Sequence, residues 1–431
     1  TFSAMFCFWI SAYTIHFGLV VYAIACMIGF MTGLEIPLIT RINQTYEPLR
    51  ENISSVMEYD YYGGLLGGAL FAFALLPFLG LTYTPVLIGS LNLLVASLVL
   101  WQFPKRLHRS RALNIQFAIL LVVSMLAFLA AKPIVLYGEQ HKYKDKIVYQ
   151  EQTRYQKIVV TQWKDDFWLF INGSTQFSTY DEERYHEPLV HPVMSLLKEH
   201  NDILLLGAGD GLAAREILKY PDVKTLTLVD LDPAMTRLAR QDKMFLRINQ
   251  GSLNDPRVRV LNEDAYQFMK ASSDLYDAII IDLPDPKSVS LSLLYSLGFY
   301  KLVEKHLKPF GAMVTQSTSP LYSPEAFLCI KQTMQAAGFS TLPYQNSVPS
   351  RGQWGWVLGI RQKTMPAERL KQEVTARKLS NIETRFFDQN AMISMANFGK
   401  GLFEKEAEIE PNTQFNHNIL KYYRQGSWDL Y

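Results

Sequence analysis

The residues with the clearest chemistry form a glycine turn, Gly207-Ala208-Gly209-Asp210-Gly211, followed downstream by Asp230, Asp264 and the pair Asp282 and Asp285 in the string DLPDP. Gly207 and Gly209 allow a tight turn and a close backbone approach to a ligand at the N-terminus of the next helix. A dinucleotide fingerprint needs a third glycine at 212, where Leu212 stands, so the pattern is weak for NAD. Asp230 lies 19 residues after Gly211, at the end of the next apolar run. That spacing suits an adenosine ligand whose ribose hydroxyls bond to a carboxylate, as in an S-adenosylmethionine-type site; the plainer reading is a glycine turn in an α/β fold. Asp210 would repel a pyrophosphate and attract an amine or a sulfonium. Asp264 is placed either to take an adenine amino group or to cap a helix. Five carboxylates at successive strand ends imply a cationic substrate.

The elements that must carry these residues begin near 145. IVYQ (147–150), YQKIVVTQW (155–163), FWLFING (167–173) and STQFST read as a small antiparallel sheet of two or three hairpins, with Asn172-Gly173 as a hairpin turn. Strand and helix then alternate: ILLLG (203–207) into a helix at 211–219, TLTLVD (225–230) into a helix at 233–241, and VRVL (258–261) into a helix from Asp264. YDAIIID (276–282) precedes a helix near 292–306, and AMVTQ (312–316) precedes one near 324–337. Buried apolar strands alternating with helices predict a doubly wound, Rossmann-like parallel sheet, whose ligands bind at the carboxyl ends of the strands.

On these motifs, residues 147–362 resemble the spermidine synthases, the polyamine aminopropyltransferases. The resemblance runs in order through YQKIVV, INGSTQFSTYDEERYHEPLVHP, LLLGAGDGLAAREILKY, LTLVDLDP, NDPRVRVLNEDAYQF, YDAIIIDLPDP and the strand of Gln316. With its apolar N-terminal half, the chain is similar to the bacterial group that carries an N-terminal membrane domain. The resemblance implies that Gln156, Gln176, Asp210, Asp230 and Asp264, with Gly207 and Gly209, hold decarboxylated S-adenosylmethionine. It places Tyr185, His186, Asp282, Asp285 and Gln316 around an acceptor amine, with Asp282 as general base and Tyr185 orienting the nitrogen. The sequence departs from the family in GAGDG for three leading glycines, Asp230 for Glu, Asn172 for Asp and DLPDP for DSSDP. In VPSRGQWGW, Arg351 stands where soluble members usually carry an aromatic residue on the amine tunnel.

A primary amine is protonated at neutral pH, so a base must act before nitrogen displaces methylthioadenosine from the carbon beside the sulfonium. No metal is required, and His186, His191 and His200 lack the spacing and partners of a zinc site. Two other classes remain open: a methyltransferase using intact S-adenosylmethionine, and a membrane-bound binder or transporter of polyamine or nucleoside.

Residues 1–131 carry 11 charged side chains, against 42 basic and 40 acidic in the whole chain. Segments 1–34, 61–104 and 112–131 carry none, which predicts membrane spans near 14–34, 61–82, 85–103 and 113–131. Residues 1–12 read as the end of another span, and a start at Thr1 reads as a fragment or processed form. The basic residues Lys105, Arg106, Arg109 and Arg111 point to the cytoplasm by the positive-inside rule, which would put the polar half outside. A nucleoside co-substrate made in the cytoplasm argues the opposite, and we give that argument precedence: an integral protein of a bacterial inner membrane with its catalytic domain in the cytoplasm.

The expected organisation is a multi-span α-helical membrane domain at 1–131, a linker and β-hairpin domain at 132–200, a Rossmann-like catalytic domain at 201–363 and a helical extension at 364–431. The partners are a small amine and the lipid bilayer, with room for a homo-oligomer. A net charge of +2 excludes a strongly basic nucleic-acid binder. Cys7, Cys26 and Cys329 share no C-x-x-C spacing and read as small apolar side chains.

Overall fold

The apolar N-terminal sequence folds into four helices long and apolar enough to cross a membrane, Phe17–Asn43, Leu49–Gly80, Tyr83–Gln102 and Arg111–Ala131. In this computed structural model the described residues are 6–7, 10, 17–44, 48–102, 110–361, 365–379 and 381–428. Most of segment 1–12, residues 14–16 and 103 of the expected spans, and Lys105, Arg106 and Arg109 of the basic loop lie outside them. The second and third helices separate at Gly80, whose φ of 63° is left-handed. The helical ladder widens into a π turn at Phe71–Leu75 just before this break. The Thr84 hydroxyl donates to the carbonyls of Gly80 (2.6 Å) and Leu75 (3.1 Å), satisfying oxygens that the interrupted ladder leaves open.

The chain divides into two compact units, Thr1–Ile147 and Val148–Tyr431. A four-stranded antiparallel meander leads into the second: β1 (Lys146–Gln152), β2 (Lys157–Trp163), β3 (Asp166–Ile171) and β4 (Ser174–Ser178). Asn172 and Gly173 close β3 onto β4 with φ of 50° and 80°, the primed geometry that this dipeptide favours. The helix Glu183–Leu196 follows.

A seven-stranded sheet comes next, built from β5 (Asp202–Gly207), β6 (Thr225–Val229), β7 (Val258–Leu261), β8 (Tyr276–Asp282), β9 (Leu307–Gln316), β10 (Ser340–Val348) and β11 (Gly352–Ile360). Its order is β10-β11-β9-β8-β5-β6-β7. Pairing is parallel from β7 through β6, β5 and β8 to β9, so the order reverses between β5 and β8. The sheet is mixed rather than wholly parallel, because β11 runs antiparallel to β9 and to β10.

Alternation along the central strands divides the core. Ile203, Leu205, Ala278 and Ile280 pack on one face, Leu204, Leu206, Ile279 and Ile281 on the other, all with no side-chain exposure to solvent. The single helix expected near 292–306 is two, Val289–Leu293 and Leu297–Lys305, because the Ser296 hydroxyl caps the second by accepting from the Phe299 N–H. The C-terminal extension packs on the second unit. The Glu187 carboxylate accepts from the backbone N–H groups of Arg385, Phe386 and Phe387, and the Asn412 side chain donates to the carbonyls of Ser292 and Tyr295.

Candidate active site

The parallel strands β5, β6, β8 and β9 each end in a residue of one cleft, about 890 Å³ in volume. Gln156, Gln176, Tyr185, His186, Gly207, Gly209, Asp210, Asp230, Asp264, Asp282, Asp285, Gln316 and Arg351 all line it, so the structure brings together the residues that the resemblance implied for co-substrate and acceptor, with Arg351.

The glycine turn is kept free of side chains by two close approaches. A Cβ at Gly207, whose φ is 81°, would lie 2.1 Å from the Asp282 carbonyl oxygen; one at Gly209 would lie 2.6 Å from Asp230 Oδ2. Those approaches let the Gly209 N–H donate to Asp230 Oδ2 (3.1 Å) while Asp230 Oδ1 accepts from the Asp232 N–H (2.9 Å). Burial pushes the Asp230 carboxyl up to about 6 and also raises that of Asp210, whose Oδ1 accepts from the Leu212 N–H. Asp264 caps the helix Ala265–Ala271 through the Gln267 N–H and still lines the cleft, so the cap does not remove it from the site.

In the other half, the Tyr185 hydroxyl donates to Asp282 Oδ1 at 2.5 Å. Tyr185 comes from the helix after the meander and Asp282 from the end of β8, so this pair ties the two sheets together at the site. Burial, with the Asp282 charge next, raises the Tyr185 phenol well above its ordinary range and keeps it a donor. Among the described residues no donor reaches Asp282 Oδ2, which leaves that oxygen open to accept a proton. Asp285 is held from two sides, by Gln316 Nε2 (3.3 Å) on Oδ1 and the Tyr423 hydroxyl (3.0 Å) on Oδ2.

Two residues expected to touch the acceptor have partners of their own. Gln316 Nε2 also donates to the Leu283 carbonyl and the Tyr295 hydroxyl, and its Oε1 accepts from the Thr318 N–H and the Trp354 indole, so Gln316 acts as a bracket. His186 lines the cleft, but its Nδ1 meets the Glu182 carbonyl and carboxylate. Burial works against protonating His186, but the Glu182 bond and charge outweigh it and raise its pKa. His191 is structural, set between Glu216 and Tyr220. Arg351, 8% exposed, lies over the rings of Tyr185 (4.4 Å) and Trp354 (4.1 Å) and donates to the Gln176 carbonyl.

Sequence reasoning missed Asp232, Lys287, Trp354, Tyr423 and Trp428, which also line the cleft. Asp232 accepts from the Thr153 hydroxyl, and Lys287 donates to Ser174, so both join the meander to the large sheet. The VDLDP string (229–233) carried a signal for Asp232; Tyr423 and Trp428 arrive from the extension with no local motif. Among the described residues there is no cluster of three or more His, Cys, Asp or Glu arranged for a metal.

An acid-lined cleft at the reversal point of a mainly parallel sheet defines an α/β protein of the Rossmann-like class. Comparison with known proteins narrows this class. Residues 182–372 match the spermine/spermidine synthase domain. A polyamine aminopropyltransferase of Oceanobacillus iheyensis is 39% identical over 95% of this chain and 79% of its own. Polyamine aminopropyltransferase 2 of Ralstonia nicotianae is 37% identical, again over 95% of this chain and 79% of its own. In fold, a crystal structure of spermidine synthase in complex with the transition-state analogue AdoDATO matches with a TM-score of 0.55 at 22% identity, covering 62% of this chain and 89% of that one. The chain belongs to the spermine/spermidine synthase family.

Proposed function

We propose that this protein is an aminopropyltransferase that moves the aminopropyl group of decarboxylated S-adenosylmethionine to an amine and releases methylthioadenosine. The observation that carries the reading is the Tyr185–Asp282 pair, a carboxylate fixed through one oxygen and open at the other, beside a turn built for a nucleoside. Asp230 accepts the ribose hydroxyls, Asp264 the adenine amino group, and Gln156 and Gln176 close over the nucleoside from the meander. Asp210 and Asp282 draw the sulfonium and the amine inward by charge. Asp282 Oδ2 takes one proton from the acceptor ammonium. The freed nitrogen lone pair forms the C–N bond as the C–S pair returns to sulfur, leaving a neutral thioether. Holding both substrates in one cleft supplies much of the remaining acceleration.

The relatives named as polyamine aminopropyltransferases support an amine acceptor, and the analogue bound to the related fold supports the decarboxylated co-substrate. The four apolar helices support a bilayer as partner, in this proposal a bacterial inner membrane. A catalytic unit facing the cytoplasm, and a homo-oligomer as the working assembly, complete the proposal. The test incubates detergent-purified protein with decarboxylated or intact S-adenosylmethionine and a panel of amines, and identifies the nucleoside by mass spectrometry. We expect amine-dependent methylthioadenosine; S-adenosylhomocysteine from the intact compound would instead establish methyl transfer.

A further inference from the structure

The acceptor half of the cleft contains a wall that belongs to neither sheet. Tyr423, on the helix Asn418–Arg424, and Trp428 beyond it stand beside Asp285, Leu291 and Leu294 in the cleft lining. Tyr423 is 6% exposed, its hydroxyl donates to Asp285 Oδ2, and its ring packs against Trp428 at a 31° tilt with centroids 4.5 Å apart. Trp428 is fixed in turn. Its indole N–H donates to the Tyr423 carbonyl (2.7 Å), and the Ser427 N–H donates to the Tyr322 carbonyl (2.7 Å). Asp285 is thus oriented by one bracket from the sheet, Gln316, and one from the extension, Tyr423.

Charge gives this wall a direction. An acceptor with two amines presents one nitrogen that loses a proton at Asp282 and one that stays an ammonium. Arg351 lies over Tyr185, the partner of Asp282, and repels a second cation there. Asp285, a carboxylate in the cleft lining held by Gln316 and Tyr423, is the place where the remaining ammonium is favoured. Building on the function proposed above, we infer that the C-terminal extension is part of the acceptor site: Tyr423 is a positioning residue that orients Asp285 toward the far ammonium, and Trp428 closes the cleft behind it, so that a short diamine is accepted over a longer polyamine.

The experiment uses the full chain in detergent with decarboxylated S-adenosylmethionine, a series of α,ω-diamines of rising length and one triamine. It compares wild type with Tyr423→Phe and Trp428→Ala, and thermal stabilisation by methylthioadenosine checks that each variant is folded. Loss of a hydrogen bond to a charged group should raise the acceptor KM of Tyr423→Phe about tenfold or more, with kcat and the nucleoside KM changing less. Trp428→Ala should shift the preference toward longer amines by about tenfold. Folded variants that keep the wild-type acceptor KM and length preference would overturn the inference while leaving aminopropyl transfer in place, as would an equal rise in both KM values. Absence of methylthioadenosine from the wild type with every amine would overturn the functional reading and this inference with it.

Discussion

The proposed function divides the work of the cleft between Asp282, for proton transfer, and Asp230, for nucleoside binding, and each can be tested alone. Asp282→Asn keeps the shape and an acceptor for Tyr185 but removes the negative charge and the basic oxygen. Turnover should fall by roughly 10²–10⁴-fold, the usual worth of a general base, while methylthioadenosine affinity stays within about tenfold. Near-normal turnover would make Asp282 structural. Asp230 predicts a pH dependence of opposite origin. Its carboxyl is raised to about 6 by burial, and in the proposed function the ionised form would accept from the ribose hydroxyls. Methylthioadenosine affinity should therefore hold above neutrality and fall as the pH drops through about 6, by up to about tenfold per unit for one proton. The linkage to stability has the other sign. A carboxyl raised above its unfolded value contributes most in acid, and that contribution is lost as the pH rises through about 6. Calorimetric titration between acid and neutral pH checks the first effect; a flat affinity would move the ribose away from Asp230.

The turn between β5 and its helix shows how an element sets the chemistry. Gly207→Ala combines a left-handed φ of 81° with a Cβ placed 2.1 Å from the Asp282 carbonyl, so the change strains the turn and displaces the base together. The two costs, backbone and overpacking, add to about 2–5 kcal/mol. Denaturant unfolding should show that loss together with a fall in turnover, and a neutral substitution would mean that the turn relaxes without moving β8. This turn was legible because glycines followed by Asp at the end of ILLLG leave few alternatives. The parallel strands were legible for the same kind of reason: runs such as AIII are buried on both faces and carry no competing signal. The β10–β11 hairpin was not. Pro343 and Asn346 argue against a strand, and Pro343 is tolerated because β10 lies at the edge of the sheet. Gly355 and Gly359 dilute β11 because Cβ atoms there would meet Phe327 and Met334 of the helix Pro324–Ala336. In both strands the deciding constraint is a neighbour distant in sequence. Tyr423 was hidden in the same way, since its partner Asp285 is 138 residues away.

For the whole molecule, the two units differ in what stabilises them. The four apolar helices present Leu19, Phe73, Trp101 and Leu129 to their surroundings, apolar surface that a bilayer would cover and water would not. The full chain should therefore stay in the membrane pellet through carbonate extraction; release into the supernatant would overturn the membrane reading. The second unit has its own core and a ligand cleft, so its stability should respond to nucleoside. Methylthioadenosine at about 100 times its dissociation constant contributes about 2.7 kcal/mol, which for a domain of this size raises the Tm by about 5 °C or more. NAD should produce no comparable shift. Leu212 occupies the third glycine position of a dinucleotide turn, and Asp210, Asp230, Asp232, Asp264, Asp282 and Asp285 line the space that its diphosphate would enter. Methylthioadenosine is neutral and brings no such repulsion, and an added polyamine should increase its effect by supplying the missing cation. A thermal scan of the detergent-solubilised chain with each ligand separates these outcomes. A shift with NAD and none with methylthioadenosine would replace aminopropyl transfer by dinucleotide chemistry, whereas a shift with methylthioadenosine that polyamine enlarges places both substrates in one cleft.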